Sequence, residues 1–96
     1  MAREEYLEKL RRYKESHAEK YGIEAIGIFG SIARGEEKSD SDVDICIKMN
    51  RPDLYYLVHI KEDLQNIFGR PVDVVRLRPR MSALLRKNIE RDTIYA

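Results

Sequence analysis

The chain has 96 residues, 43% of them hydrophobic and 36% charged, with one cysteine and no tryptophan. A chain of that length forms one small domain that buries only about 60–65% of its unfolded surface, leaving no room for a second substrate-binding unit. Eighteen basic and seventeen acidic residues give a net charge of +1, which removes net charge as an argument for nucleic-acid binding. No apolar run approaches the ~18 residues needed to span a membrane. "MAREEYLEKL" has no apolar stretch like that of a signal peptide. Cys46 has no disulfide partner within the chain, so a reducing, cytoplasmic setting is expected.

In chain order, Arg3 to Lys20 reads as an amphipathic helix, with Tyr6, Leu10, Tyr13 and His17 at i, i+4, i+7 and i+11. Gly22 is its stop signal. Ile23 to Phe29, "IEAIGIF", is a short β-branched strand. "GSIARGEEKSDS" is a glycine-rich loop with room for one helical turn after Ser31. Asp42 to Met49, "DVDICIKM", alternates: Val43, Ile45 and Ile47 face one way, and Asp42, Asp44, Cys46 and Lys48 the other.

Pro52 and Asp53 open a second long helix with an expected apolar stripe of Leu54, Leu57, Val58, Leu64, Ile67 and Phe68. Gly69 ends it. Pro71 to Leu77, "PVDVVRL", is a third strand. After Pro79 a last helix runs from about Arg80 to Asp92, with Met81, Leu84, Leu85 and Ile89 on one face. "TIYA" is left as a short strand or a tail. The fold expected is a single small α/β (α+β) domain in the order α-β-β-α-β-α, a mixed sheet covered by helices. The helix between the second and third strands suits a right-handed crossover, which makes those strands parallel. The shorter loop between the first two suits an antiparallel pair.

Aspartate is a poor strand former, and its charge is costly to bury unpaired. Asp42 and Asp44 nonetheless leave one face of a strand, with Cα atoms roughly 6.5–7 Å apart. Asp73 lies in the next strand of the expected parallel pair. Three carboxylates on one patch suit Mg²⁺, which binds one or two of them and draws its other ligands from water and phosphate. Two such ions form the clamp used for in-line attack at phosphorus. Gly30 lets backbone approach a ligand closely, and Ser31 offers a hydroxyl and an N–H. Carboxylates on one side and phosphate donors on the other describe a site for a nucleoside triphosphate.

These residues, "GSIARG…SDSDVDI" followed by "VDVV", resemble the signature of the DNA polymerase β-type nucleotidyltransferase superfamily. With "GSxARG" and the "RDTIYA" ending, the chain looks most like the minimal nucleotidyltransferases of bacteria and archaea, over nearly its whole length. The resemblance implies that Gly30 and Ser31 bind the β- and γ-phosphates. It implies that Asp42 and Asp44 bridge two Mg²⁺ ions, and that Asp73 completes the metal site and accepts the proton of the attacking hydroxyl. Arg34 matches the motif as a phosphate or acid partner, and Ser41 adjoins the metal strand. The resemblance further implies transfer of AMP from ATP to a tyrosine of a small, all-helical HEPN-class toxin, with this chain as the antitoxin. ATP itself is an expectation of the resemblance, since no base-reading element is visible.

Two other functions fit the same chain: an antitoxin that neutralises its partner by contact, and a transferase for small molecules of the antibiotic-modifying kind. Among single residues, Arg34 also reads as a structural ion-pair partner and Cys46 as a small buried filler. His17 and His59 read as ordinary helix residues. Of Tyr55 and Tyr56, one must be exposed. The basic C-terminal third reads as a solvated face or a contact surface for an acidic partner. Direct nucleic-acid binding is not expected, because no stacking aromatic set accompanies the charges. Apolar helix positions left outside the core would also allow a homo-oligomer.

Overall fold

The computed structural model describes residues 1–96. A four-stranded sheet with the order β3-β2-β1-β4 forms its centre. The elements are α1 (Arg3–Tyr21), β1 (Ile23–Phe29), α2 (Gly30–Ala33), β2 (Val43–Met49), α3 (Leu54–Phe68), β3 (Val72–Arg76), α4 (Ala83–Asp92) and β4 (Ile94–Tyr95). β1 pairs antiparallel with β2, and β2 parallel with β3, as the loop and crossover lengths predict. "TIYA" is a strand: β4 pairs antiparallel with β1 and forms the second edge of the sheet.

Period-2 alternation sorts β2 between two cores. Val43, Ile45 and Ile47 are fully buried against α1 and α3, with Tyr6, Leu10, Ile60 and Leu64 among their neighbours. On the opposite face Cys46 packs with Phe29 and with Ile89 of α4, confirming it as a buried apolar filler. The sheet is therefore covered on both faces, by α1 and α3 on one and α4 on the other.

Two helices differ from their expected faces. In α3 the buried line is Ile60, Leu64 and Phe68, at i, i+4 and i+8, with Tyr56 and Leu57 packed against the same core. Leu54 and Val58 are exposed, 77% and 48%, and Ile67 lies at the margin. The expected stripe merged two faces of the helix and omitted Ile60. Tyr55 is the exposed member of the tyrosine pair. In α4 the helix begins at Ala83, because Ser82 caps it by accepting from the Leu85 N–H. Ile89 is the buried anchor, while Leu84 is 70% exposed. His17 stacks between Tyr13 and Tyr21 on α1, an ordinary helix position.

The loop joining the two halves of the G-S…D-x-D motif is held from a distance. Arg70 donates to Glu37 Oε2 at 2.8 Å and to the Tyr6 hydroxyl at 2.9 Å. Its other nitrogen donates to the carbonyls of Lys38 and Ser39 at 2.9 and 2.8 Å. The side chain is only 16% exposed, so these bonds work in partly desolvated surroundings. Arg70→Ala is expected to cost about 2–3 kcal/mol in urea unfolding. Arg70→Lys should recover less than half of that, because an ammonium cannot reproduce the fork.

Candidate active site

Strand register builds the site. Phe29 of β1 lies opposite Asp44 of β2, so the residue after Phe29 arrives beside the Asp44 carboxylate. That residue is Gly30, with φ +73°. A Cβ placed on it would fall onto the Asp44 carboxylate. Only glycine lets the chain turn here and approach the acid this closely. On the other side of β2, Asp44 is the direct register partner of Asp73 in β3. Adjacent strands lie about 4.8 Å apart, and partnered side chains leave the same face of the sheet.

The three acids are not equivalent. Asp44 is half-buried, whereas Asp42, immediately before β2, and Asp73, on an edge strand, are exposed. The patch expected of three carboxylates thus consists of one half-buried acid with two exposed neighbours. No three His, Cys, Asp or Glu side chains close into a ready metal cage. Mutual repulsion and an open sheet edge both favour splayed carboxylates. Burial raises the Asp44 pKa, and the charges of Asp73 and then Asp42 raise it further, while Arg34 opposes them. With Asp42 and Asp73 exposed and Asp44 half-buried, the cluster opens to solvent.

Ser31 follows Gly30 in the short α2 turn, half-buried, and no hydrogen bond within the chain engages its hydroxyl. Ser41 is committed elsewhere: its Oγ accepts from the Lys38 N–H at 2.8 Å and its own N–H donates to the Lys38 carbonyl, closing a turn. Arg34 donates to Glu36 at 3.1 Å and to Asp92 at 2.8 Å, which makes it an ion-pair partner whose charge also counters the rise in the Asp44 pKa.

Asp92 was not singled out by sequence reasoning. Its side chain is only 7% exposed and also pairs with Arg91. It ties the end of α4 to the turn that carries Gly30 and Ser31. The pairing with Arg34 spans 58 positions of sequence, and no local pattern reveals it. Asp92→Asn is expected to speed amide exchange in the Arg34–Glu36 turn and in Thr93 and Ile94, while leaving the Leu10 and Ile45 amides unchanged.

Comparison with known proteins agrees with this geometry. The family model for a nucleotidyltransferase domain matches residues 10–96. The protein adenylyltransferase MntA of Thermococcus cleftensis is 34% identical over 93 residues, covering 96% of this chain and 93% of its own. A solved structure described as a minimal nucleotidyltransferase superposes with a TM-score of 0.73 at 32% identity, covering 98% of this chain and 95% of that one. The same fold, at 18% identity and a TM-score of 0.72, occurs in the structure of a tri-AMPylated Shewanella oneidensis HEPN toxin in complex with an MNT antitoxin. That match covers 97% of this chain and 70% of the other. The chain belongs to the nucleotidyltransferase domain family, in its minimal form, and is a nucleotidyltransferase.

Proposed function

We propose that this nucleotidyltransferase moves AMP from ATP to a tyrosine hydroxyl of a small, all-helical HEPN-class protein, and so acts as the antitoxin of a two-protein module. The observation that carries the reading is the contact of Gly30 with Asp44, which has Asp73 in register beyond it. The adenylyltransferase relative and the AMPylated toxin of the structural relative support the choice of AMP and of a protein acceptor.

In this reading Gly30 and Ser31 hold the β- and γ-phosphates. Gly30 does so because, lacking a Cβ, it lets the backbone approach a ligand beside Asp44, and Ser31 because its hydroxyl has no partner in the chain. The donor set fits Mg²⁺: carboxylate oxygens are hard ligands, and the repulsion on Asp44 from Asp73 and Asp42 is what a divalent cation offsets. Asp42 and Asp44 would hold it, with Asp73 completing the set. When bound, the ion neutralises charge on the triphosphate and stabilises the departing pyrophosphate.

The acceptor oxygen forms its bond to the α-phosphorus as the bond from that phosphorus to the bridging oxygen breaks, and pyrophosphate leaves with the electron pair. Asp73, exposed at the sheet edge, takes the acceptor's proton. Arg34, held by Asp92 and Glu36, adds positive charge beside Asp44 and the phosphates.

The test mixes the chain with the purified product of its neighbouring gene, labelled ATP and Mg²⁺. Label is expected on a tyrosine of that product, and Asp42→Asn or Asp44→Asn should each lower the rate at least about 100-fold. A folded chain that binds ATP yet labels nothing would overturn the reading. Neutralisation that survives both substitutions would assign it to contact instead.

A further inference from the structure

β3 is an open edge of the sheet. Its Pro71 carbonyl accepts from Val43 and its Leu77 N–H donates to the Ile47 carbonyl of β2. Strand alternation then turns the N–H and C=O of Val74 and Arg76 outward, away from β2. Those groups meet no backbone partner. An unpaired row of this kind is a template for another strand.

α3 packs on one face of β3, through Val72 and Val74, and the α4 side covers Val75 on the other, so only the hydrogen-bonding edge of the strand is left open. Beside it runs a groove of about 430 Å³, lined by Val74 and Val75, by Leu57 from α3, by Met81 just before α4 and by Leu85 from α4. Leu54 and Val58, both exposed, extend the apolar wall on the same flank of α3 as Leu57. The groove's charge points to its occupant. Arg76 and Arg78 line it, and neither they nor Arg80 and Lys87 nearby in sequence have a carboxylate within salt-bridge distance. Arg51 and Arg86 also lack a carboxylate, but each donates to backbone carbonyls, whereas Arg76 and Arg78 make no side-chain hydrogen bond. One end of this edge is Asp73, a member of the carboxylate cluster.

We propose that the outer edge of β3 receives an extended, acidic segment of the acceptor protein, laid down as a fifth strand. Its apolar side chains fill the groove, its acids meet Arg76 and Arg78, and its hydroxyl end reaches Asp73. The inference rests on the protein-acceptor reading above and supplies the acceptor contact that the open carboxylate cluster lacks.

The test uses a fluorescein-labelled ten-residue peptide of alternating valine and glutamate. Fluorescence anisotropy is expected to give a Kd below about 1 mM for the full chain, weakening as salt rises. The double variant R76E/R78E should weaken binding at least about tenfold. Arg76→Pro, which removes one outward N–H and one charge, should weaken it several-fold. A peptide with lysine in place of glutamate should bind at least about tenfold more weakly than the glutamate peptide. The thermal shift produced by AMP-PNP with Mg²⁺ should be the same in wild type and R76E/R78E, which shows that the variant is folded.

No binding to wild type, equal affinity in wild type and R76E/R78E, or equal affinity for the lysine peptide would overturn the proposal. So would a wild-type dimer in sedimentation that R76E/R78E dissociates and the peptide does not, since the edge would then serve a second copy. Absence of an AMP-PNP shift in wild type strikes the transferase reading alone and leaves the peptide result standing.

Discussion

Gly30→Ala is expected to remove nucleotide binding and to lower the melting temperature by roughly 8–40 °C. Two costs add at this position. A residue with a Cβ at φ +73° sits in the left-handed region, at a cost of about 1–2 kcal/mol. The new methyl also falls on the Asp44 carboxylate, whose side chain must swing aside. Displacing a packed group costs about 1–3 kcal/mol more. Together these give about 2–5 kcal/mol in a domain where each 1 kcal/mol shifts the midpoint by roughly 4–8 °C.

Gly35→Ala is the control for this prediction. Gly35 has φ +72° too, but its Cβ would enter open space. It should therefore show only the backbone cost, about 1–2 kcal/mol, and keep its thermal shift with AMP-PNP. Equal losses for the two variants would show that the Asp44 contact contributes nothing.

Asp44→Asn is expected to stabilise the metal-free protein while abolishing nucleotidyl transfer. Burial, Asp73 and Asp42 all disfavour the Asp44 carboxylate, so its pKa in the folded chain lies above its ordinary value of 3.8. Folding thus favours the protonated form. That contribution is fully present below the ordinary value and is lost as pH rises through the raised one. Asparagine carries no charge at any pH and escapes the loss.

The difference in melting temperature, variant minus wild type, should be near its minimum below about pH 3.8 and grow toward neutrality. At neutral pH the gain is about 0.5–2 kcal/mol, the range seen when a functional site is relieved of its strain. Mg²⁺ with AMP-PNP should reverse the order, since a ligand that binds only the folded wild type stabilises it by mass action. Melting curves at four pH values, with and without nucleotide, give the result. A variant less stable than wild type at neutral pH without metal would mean that Asp44 is held by favourable contacts rather than by the fold.

Most of the fold was legible in local pattern. The seven residues of β1 and the turn at Gly30 follow from β-branched content and glycine placement. The alternation in "VDICIK" placed valine and isoleucine in one core and cysteine in the other. Helix faces were less legible. Leu54 and Val58 are as hydrophobic as Ile60, yet only Ile60 meets the sheet. Hydropathy registers that a helix has an apolar flank, but which flank is covered depends on where the sheet ends.

The carboxylates divide in the same way. By itself the sequence determined the chemistry: which residues are acids, that Asp42 and Asp44 stand two apart where the second strand begins, and that a glycine and a serine stand at the end of the preceding strand. Those are properties of side-chain type and of period 2, and they need no partner. Only the tertiary structure decided that Asp44 alone is half-buried, that Asp73 is its direct neighbour, and that Arg34 is clamped by Asp92. Only it decided that β3 forms an edge with unpaired backbone beside unpaired arginines. The reason is physical. Burial and charge coupling depend on distances between residues far apart in the chain, and those distances are set by strand order and by which surfaces the helices leave uncovered.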